Sequence, residues 1–277
     1  LAVRRGETLI GVAALDLQPA GARDLGDPGV RELAGPLALP GEESAVAAGI
    51  LEWLREDFTR VLEPWGIPAD GPWPAAFEAA AARWGWSFAA EPEAVCPGAD
   101  LPATFEAFVA SLPKHDRHEL RRKLRNFEAA GAAAFERLAG EAVPAQIDLL
   151  FDLMRASSPA KAAFLTPSME AFFRALAREF APRGQLSLGL TTLDGTPAGA
   201  TLTFEFGGTL FLYNSGYDPA LAHLAPGLVS KAWAIRDAIA RGFRRFDFLR
   251  GDEAYKRRLG GQPRQLLRLR LEDRAGR

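Results

Sequence analysis

The chain has 277 residues, of which 48% are hydrophobic and 25% are charged, and its formal net charge is −2. These values are typical of folded globular proteins and argue against long disordered or fibrous segments. Because the charge is nearly balanced, binding to nucleic acid or to an anionic membrane would need a local basic patch.

The cysteine content and the hydropathy of the sequence indicate the cellular compartment. Cys96 is the only cysteine, so no disulfide can form within the chain, and one thiol cannot build a cysteine-rich zinc site. No run of about 18 apolar residues occurs, and the charged residues 1–6 are not followed by an apolar signal core. We therefore expect a cytoplasmic protein that is neither secreted nor membrane-spanning.

The N-terminal half alternates between helical and strand-like patterns. Residues 42–55 and 74–84 have helical patterns, whereas residues 58–62 and 86–89 are strand-like. This order repeats the pattern at the end of the chain and indicates an internal duplication without sequence identity. Residues 112–130 form a long charged helix that joins the two halves.

The C-terminal half opens with a strand candidate and two helices. Residues 132–138 form a weak strand pattern, and residues 144–156 and 167–180 have amphipathic helical patterns. Thr166 suits the N-cap of the second helix, and Pro167 suits its first position. The helices therefore separate the first strand from the strands that follow.

Three alternating segments then predict an antiparallel meander. Residues 185–193, 198–206 and 209–213 alternate apolar with small or polar side chains. The turns between them are formed by Asp194-Gly195 and Gly207-Gly208. We expect three consecutive hairpin-linked strands.

The last part of the chain predicts a helix and two strands. Residues 227–241 have apolar side chains at helical spacing, residues 245–249 have strand character, and residues 264–271 alternate leucine with arginine. We expect the meander sheet to resume at both of these last segments, on either side of a short charged stretch.

Three motifs carry a resemblance to a known family. They are Tyr213-Asn214-Ser215-Gly216-Tyr217-Asp218-Pro219, Ala225-Pro226-Gly227-Leu228, and Asp247-Phe248-Leu249-Arg250-Gly251-Asp252-Glu253 followed by Tyr255-Lys256. As a set they resemble the CelD/BcsL-like branch of bacterial acetyltransferases, which have a GNAT fold and are related to the FemAB peptidyltransferases.

The resemblance implies an α/β (α+β) protein with a tandem GNAT-like, FemAB-like architecture, in which mixed central sheets are flanked by helices and the N-terminal half is degenerate. On this basis we expect a degenerate GNAT-like domain in residues 1–111 and a basic linking helix in residues 112–131. A GNAT acyltransferase domain would follow in residues 132–277.

The helix after the meander is the candidate cofactor site. Free N–H groups and the positive end of the dipole make a helix N-terminus suitable for a pyrophosphate, and GNAT proteins place their pyrophosphate loop at this point. The candidate residues are Ala225, Gly227, Leu228, Val229 and Ser230. Pro226-Gly227 is also typical of an ordinary helix start.

The resemblance also implies that a splayed or bulged strand supplies a backbone N–H to the thioester carbonyl. Here that strand is the third of the meander, so the N–H groups of Leu212, Tyr213 and Asn214 are the candidates. The Tyr213 side chain has an alternative role as an aromatic group that fills one strand face.

Acyl transfer needs a base for the acceptor and an acid for the departing thiolate. Asp252 and Glu253 are candidate bases or orienting groups, and Tyr255 is the preferred acid. Asp247, which alternates with two phenylalanines, is a further candidate that would face the cleft. As alternatives, Asp252 and Glu253 are turn or helix-capping acids, and Asp247 is a salt-bridge partner of a nearby arginine.

Basic residues suggest an anionic ligand. Arg250 and Lys256 are candidates for binding an anionic acceptor or the cofactor phosphates. The basic run 114–125 is either an exposed linker helix or a phosphate-binding wall, in which Arg121 and Arg122 would contact the acceptor.

Other catalytic templates fit poorly. Ser215 lacks the flanking glycine of a nucleophile elbow, because position 213 is tyrosine. His115 and His118 are spaced as metal ligands can be, but no third ligand lies nearby in the sequence. We expect no metal.

We therefore expect an acyl-CoA-dependent N- or O-acyltransferase, with acetyl-CoA as the first candidate co-substrate. Its acceptor would be an amino sugar, an amino acid or a cell-envelope or polysaccharide precursor, and the acyl group would be transferred directly, because no activated cysteine or serine is visible. Two alternatives stay open. One is a FemAB-like transferase that uses aminoacyl-tRNA, and the other is a catalytically inactive GNAT-fold binding module.

Overall fold

The computed structural model describes residues 1–27, 29–57 and 59–273. These residues form two compact units. One, which we call the split unit, consists of Leu1–Cys96 and Pro263–Arg277. The other, which we call the continuous unit, consists of Pro97–Gln262.

Strands and helices alternate along the chain. The strands are β1 (Ala2–Arg5), β2 (Thr8–Val12), β3 (Leu15–Gln18), β4 (Gly21–Asp24), β5 (Leu37–Ala38), β6 (Val61–Glu63), β7 (Ile67–Pro68), β8 (Trp86–Val95), β9 (Gly98–Asp100), β10 (Ala133–Leu138), β11 (Leu186–Leu193), β12 (Thr196–Phe206), β13 (Thr209–Tyr217), β14 (Arg245–Asp247) and β15 (Gln265–Asp273). The helices are α1 (Glu43–Asp57), α2 (Trp73–Trp84), α3 (Phe105–Ser111), α4 (Lys114–Glu128), α5 (Ala142–Ser157), α6 (Pro159–Phe164), α7 (Pro167–Phe180), α8 (Pro226–Ala240) and α9 (Ala254–Arg258). A 3-10 helix spans Pro219–Leu224.

The split unit contains two sheets and the helices α1 and α2. A small sheet has the order β1-β2-β5, and a larger one has the order β3-β4-β6-β15-β7, with β8 also paired to β15. Both helices bury apolar faces, around Ile50 and Phe77, against Leu269 and Leu271 of β15. The core of this unit therefore depends on the last strand of the chain.

The pairing of β15 corrects one expectation. The strand predicted at residues 264–271 is present, but its expected place in the meander sheet is wrong, because β15 pairs with β6, β7 and β8. Alternation alone cannot reveal a strand's partners. The domain boundaries 1–111, 112–131 and 132–277 stay a prediction.

The continuous unit is built on one mixed sheet with the order β10-β11-β12-β13-β14-β9. All neighbours are antiparallel except β13 and β14, which are parallel. One cluster of buried side chains includes Phe151 and Phe173 from α5 and α7, and the other includes Phe127 and Trp233 from α4 and α8. The two clusters draw on different sheet residues, so helices cover both faces of the sheet.

Most of the predicted elements of this unit are confirmed. The meander strands are β11, β12 and β13, and β13 continues past its predicted end to Tyr217. The Thr166 hydroxyl accepts a hydrogen bond from the N–H of Met169 at 3.2 Å, so the predicted cap of α7 is confirmed. The long helix predicted at residues 112–130 is α4, which begins after Pro113.

In the split unit, α1, α2 and β8 confirm the predicted helices and the strand at residues 86–89. The strand predicted at residues 58–62 corresponds to β6, and position 58 lies outside the described residues. Strands β1 to β5 were not predicted, because they are short and separated by turn residues. Across the described ranges, no helix has the length and apolar character needed to cross a membrane.

Candidate active site

Strands β13 and β14 diverge in the middle of the continuous unit. They pair over only three residue pairs, the last of which joins Phe211 to Asp247. Strand β13 then continues to Tyr217, whereas β14 ends at Asp247. The stretch 212–217 is therefore unpaired with β14. Its carbonyl at Ser215 accepts a hydrogen bond from the ammonium of Lys161 in α6.

A bulge lies at the beginning of this unpaired stretch. Asn214 pairs with Leu202 and Leu212 pairs with Thr203, so Tyr213 is an extra residue in β13. The bulged strand that the resemblance implied is present. The Tyr213 ring packs against Phe173 and Phe204, and Leu212 is buried in the core. The predicted role of the three N–H groups stays a prediction.

A cavity of about 260 Å³ lies where the end of β13, the beginning of α8 and α9 meet. It is lined by Tyr217, Ala222, Ala225, Pro226, Gly227, Leu228, Lys231 and Tyr255. Most of this lining is apolar or aromatic, and Lys231 is its only charged side chain among the described residues. Such a cavity suits a small or narrow ligand with one charged group.

The beginning of α8 borders this cavity. Ala225 has a positive φ of 55°, which turns the chain sharply into Pro226 at the first helical position. A Cβ atom on Gly227 would lie 2.9 Å from a ring carbon of Tyr217, so only glycine fits there. Within the described residues, the N–H of Gly227 has no hydrogen-bond partner. It is therefore available to a ligand.

The predicted cofactor residues of this loop divide into two groups. Ala225, Gly227 and Leu228 line the cavity. Val229 is fully buried in the core, and the Ser230 hydroxyl donates a hydrogen bond to the Pro226 carbonyl at 2.8 Å. The first group lies where a ligand can reach it, and the second group supports the helix from inside.

Lys231 is a site residue that the sequence analysis missed. It is 7% exposed, its ammonium donates a hydrogen bond to the Gly227 carbonyl at 2.9 Å, and it lies 4.7 Å from the centroid of the Tyr255 ring. Burial, then the positive charge of Lys161, lowers its pKa to about 7. This amine can therefore exchange a proton near neutral pH.

Tyr255, in α9, also lines the cavity. Burial, and then the negative charge of Glu253, raises the pKa of its phenol. The phenol therefore keeps its proton at neutral pH and can donate a hydrogen bond. Among the four predicted catalytic residues, Tyr255 is the one that lines the cavity.

Lys256 fastens the segment that precedes α9. It is 2% exposed, and its ammonium donates hydrogen bonds to the carbonyls of Leu249, Arg250 and Gly251 at 3.0, 2.7 and 3.2 Å. It also lies 3.0 Å from a carboxylate oxygen of Glu253. These partners hold the turn in place. Contacts of Lys256 and Arg250 with a substrate stay a prediction.

The three predicted acidic residues occupy different surroundings. Asp252 is exposed and pairs with Arg257, whose Nε lies 2.9 Å from its Oδ1. Asp247 is 2% exposed and accepts a hydrogen bond at 2.8 Å from the N–H of Leu249, which has a positive φ of 56°. Glu253 is the acid whose charge acts on both Lys231 and Tyr255. Its effect on the pKa of two cavity residues makes Glu253 a stronger candidate than Asp252 and Asp247.

The basic helix α4 packs against α8 through Leu120, Leu124 and Phe127. It also contacts the 3-10 helix that supplies Ala222 to the cavity. On its exposed face, the guanidinium of Arg122 forms two hydrogen bonds to Glu119, at 2.9 and 2.8 Å. Arg121 is exposed beside it. Across the described residues, no three His, Cys, Asp or Glu side chains are grouped to hold a metal.

Together, the diverging parallel strands, the strand bulge, the connecting helix α8 and the helix α9 that follows define a GNAT-fold transferase. The model of the acetyltransferase (GNAT) domain family matches residues 114–257. The chain belongs to this family. No protein of curated function matches the sequence significantly.

Three solved structures resemble the whole chain. FemX is 12% identical, with a TM-score of 0.70 over 96% of this chain and 86% of that one. The C-terminal domain of a protein named as a lysylphosphatidylglycerol synthetase, from Agrobacterium fabrum, is 12% identical, with a TM-score of 0.63 over 96% and 84%. L-PGS from Bacillus licheniformis is 9% identical, with a TM-score of 0.58 over 94% and 79%.

At such low identity these likenesses concern the fold alone. They extend over nearly all of the chain and confirm the FemAB-like, tandem GNAT architecture that the three motifs implied. The narrower resemblance to the CelD/BcsL-like branch stays a prediction.

Proposed function

We propose that this chain transfers an acyl group directly from acyl-CoA, with acetyl-CoA as the first candidate, to an amine or hydroxyl group. The acceptor would be a small molecule, an amino sugar, an amino acid or a cell-envelope precursor, and the reaction would take place in the cytoplasm. One observation carries the proposal: the stretch of β13 that is unpaired with β14 ends at Tyr217, in the wall of the cavity at the beginning of α8.

The beginning of α8 suits the pyrophosphate of the co-substrate. The N–H of Gly227 is available, the positive end of the helix dipole is near, and the missing Cβ allows close approach of the backbone. The unpaired edge of β13 would then run beside the pantetheine arm. The N–H groups at the Tyr213 bulge are the candidates for polarising the thioester carbonyl.

The chemistry needs one donor and one acceptor of protons. In this proposal, the amine of the acceptor attacks the thioester carbonyl, the bond from carbon to sulfur breaks, and the thiolate leaves. The Tyr255 phenol, which stays protonated, donates a hydrogen bond to the departing sulfur. Glu253, at the charged rim beside Tyr255, accepts the proton that the attacking amine loses.

Binding of acetyl-CoA tests the proposal directly. We expect acetyl-CoA to raise the melting temperature of the wild-type protein and to have no effect on Gly227→Asp, which adds both a Cβ and a negative charge beside Tyr217. Ser168→Asp is the matched control, because it adds the same charge at the exposed first turn of α7. A wild-type protein that shows no shift at millimolar acetyl-CoA would contradict the proposal.

A second candidate function is aminoacyl transfer from aminoacyl-tRNA. It is favoured by the exposed basic face of α4, which contacts the 3-10 helix at the cavity. It also agrees with the fold likeness to FemX and to a protein whose name describes the synthesis of lysylphosphatidylglycerol. A thermal shift with aminoacyl-tRNA but not with acetyl-CoA would select this candidate. An inactive binding module would respond to neither ligand.

A further inference from the structure

The surroundings of the cavity contain more positive than negative charge. Lys231 and Lys256 are buried and Lys161 is half-buried, and the charges of Lys161 and Lys256 both lower the pKa of Lys231. Among the described residues, the carboxylate whose charge opposes them at Lys231 is that of Glu253, which is exposed and so screened by solvent. The fold itself therefore compensates this group of cations only in part.

The three lysines differ in how far their donors are used. Lys256 has three carbonyls and Glu253 as partners, and Lys161 donates to the Ser215 carbonyl. Lys231 has one hydrogen-bond acceptor among the described residues, the Gly227 carbonyl. An ammonium group has three donors, so two of those of Lys231 remain available in the cavity.

A buried cation with unused donors is costly unless an anion or further acceptors complete its surroundings. Lys231 lines the cavity together with Tyr217 and Tyr255, so a ligand in the cavity can reach it. We propose that Lys231 binds a carboxylate group of the substrate within this cavity. The proposal rests on the proposed acyl transfer, because it names the charge that one of the two substrates carries.

A carboxylate fits this position better than a phosphate does. The cavity wall is mostly apolar, and Lys231 is its one charged side chain among the described residues. One ammonium matches the single charge of a carboxylate, whereas a phosphate needs further donors such as the N–H of Gly227, which in the proposed function binds the pyrophosphate of the co-substrate. The carboxylate has two sources, either the far end of the acyl chain or the acceptor.

The first arm of the experiment tests the acyl chain. We would measure the dissociation constants of acetyl-CoA and succinyl-CoA, which differ by one carboxylate at the end of the chain. If the acyl chain is the source, the wild-type protein binds succinyl-CoA at least tenfold more tightly. Lys231→Met and Lys231→Gln abolish that preference. Arg5→Met, in the split unit in a surface ion pair with Glu42, keeps it.

The second arm tests the acceptor, with and without coenzyme A. We would compare alanine with alaninamide, which replaces the carboxylate by a neutral amide. If the acceptor is the source, the wild-type protein prefers alanine at least tenfold, and the same Lys231 variants lose this preference. The proposal is overturned if the wild-type protein discriminates in neither arm, or if a preference survives both Lys231 variants.

The two proposals fail in different ways. If acetyl-CoA does not bind but alanine is preferred through Lys231, the acyl-CoA proposal is wrong and the carboxylate site stands. If acetyl-CoA binds at Gly227 and neither arm shows discrimination, the carboxylate site is wrong and the acyl-CoA proposal stands.

Discussion

The two units differ in how completely their sheets are paired. In the split unit, β15 pairs with β8 along one edge and with β6 and β7 on the other, and between them the Leu269 N–H donates a hydrogen bond to the Pro64 carbonyl. In the continuous unit, β13 pairs with β12 along one edge but with β14 over only three residue pairs. The full pairing of β15 stabilises the split unit, whereas the separation of β13 from β14 leaves one edge of residues 212–217 without a partner in β14.

The buried charges of the two units differ in the same way. In the split unit, the carboxylate of Asp24 accepts a hydrogen bond from the Trp65 N–H at 3.1 Å and lies 3.8 Å from the guanidinium of Arg31. In the continuous unit, Lys231 has two other lysines as neighbours. The carboxylate of Asp24 has a hydrogen-bond donor and a cation as partners within the fold, although burial still raises its pKa. The ammonium of Lys231 has one hydrogen-bond acceptor among the described residues.

The largest expected effect comes from Gly216→Ala on the open stretch of β13. A Cβ atom there would overlap backbone atoms of Leu153 and Met154, which cannot move as a side chain can. We expect a loss of about 3 kcal/mol in the free energy of unfolding, measured by denaturant titration. Gly49→Ala in α1 is the control, since its Cβ would meet only the Val3 side chain, at 3.0 Å. Equal losses in both variants would contradict the prediction.

The next largest effect is on turnover. We expect Tyr255→Phe to lower kcat by about 10²-fold. The variant keeps the ring in the cavity but loses the hydroxyl that donates a hydrogen bond to the departing sulfur. Acetyl-CoA binding and the melting temperature should remain close to those of the wild-type protein. Trp84→Phe in the split unit should leave kcat unchanged. A normal kcat in Tyr255→Phe would show that the phenol does not stabilise the departing sulfur.

The lowered pKa of Lys231 predicts how the free energy of unfolding depends on pH. Its pKa falls from the ordinary 10.5 of lysine to about 7 in the folded protein. Between pH 7 and pH 10.5 the native protein therefore binds fewer protons than the unfolded chain. The free energy of unfolding therefore rises with pH in this window, by at most about 1.4 kcal/mol per unit. Below pH 7, Lys231 is charged in both the folded and the unfolded state, and the folded protein bears the full free-energy cost of burying that charge.

Lys231→Met is the measurement that isolates this contribution. The neighbouring ionisable groups Lys161, Glu253, Tyr255 and Lys256 remain in both proteins. We expect the wild-type protein to gain stability relative to Lys231→Met as the pH rises from 7 to 10. Asp24→Asn should show a difference of the opposite sign, because burial raises the pKa of Asp24 above its ordinary 3.8. As the pH rises above 3.8, the wild-type protein should lose stability relative to Asp24→Asn. A difference that does not change with pH would refute the buried ammonium.

The smallest effect concerns Asp252. Its carboxylate is exposed and paired with Arg257, so Asp252→Asn should change kcat by less than about twofold. Glu253→Gln should lower kcat by about tenfold, because its carboxylate lies with the lysines beside Tyr255. Parallel steady-state assays would separate the two acids. A larger loss in Asp252→Asn would restore the base that the sequence pattern first suggested.

Local signals in the sequence were sufficient for much of the fold. The cap of α7 requires only Thr166 and Pro167, and the turns of the meander require only residues that accept a positive φ, such as Asp194, Gly195 and Gly207. These preferences act within a few residues, so they can be read without knowing the rest of the structure. The helix α8 was also predicted from its own spacing.

The site depended on contacts that are distant in the sequence. Nothing in β15 indicates that its partners are β6, β7 and β8, and the separation of β13 from β14 becomes visible only once both strands are placed. Lys231 did leave a signal. It stands in a helix that is apolar on almost every side, which is typical of a buried helix, and a lone lysine in such a helix is either paired or functional.

The position of β15 also has a consequence for synthesis on the ribosome. Its residues are translated after the whole continuous unit, yet they form the strand between β6 and β7 and the partner of β8. A nascent chain that has reached Gln262 can complete one sheet but not the other, and until β15 emerges the apolar faces of α1 and α2 lack part of their core. The split unit, whose synthesis begins before that of the continuous unit, therefore completes its fold after it.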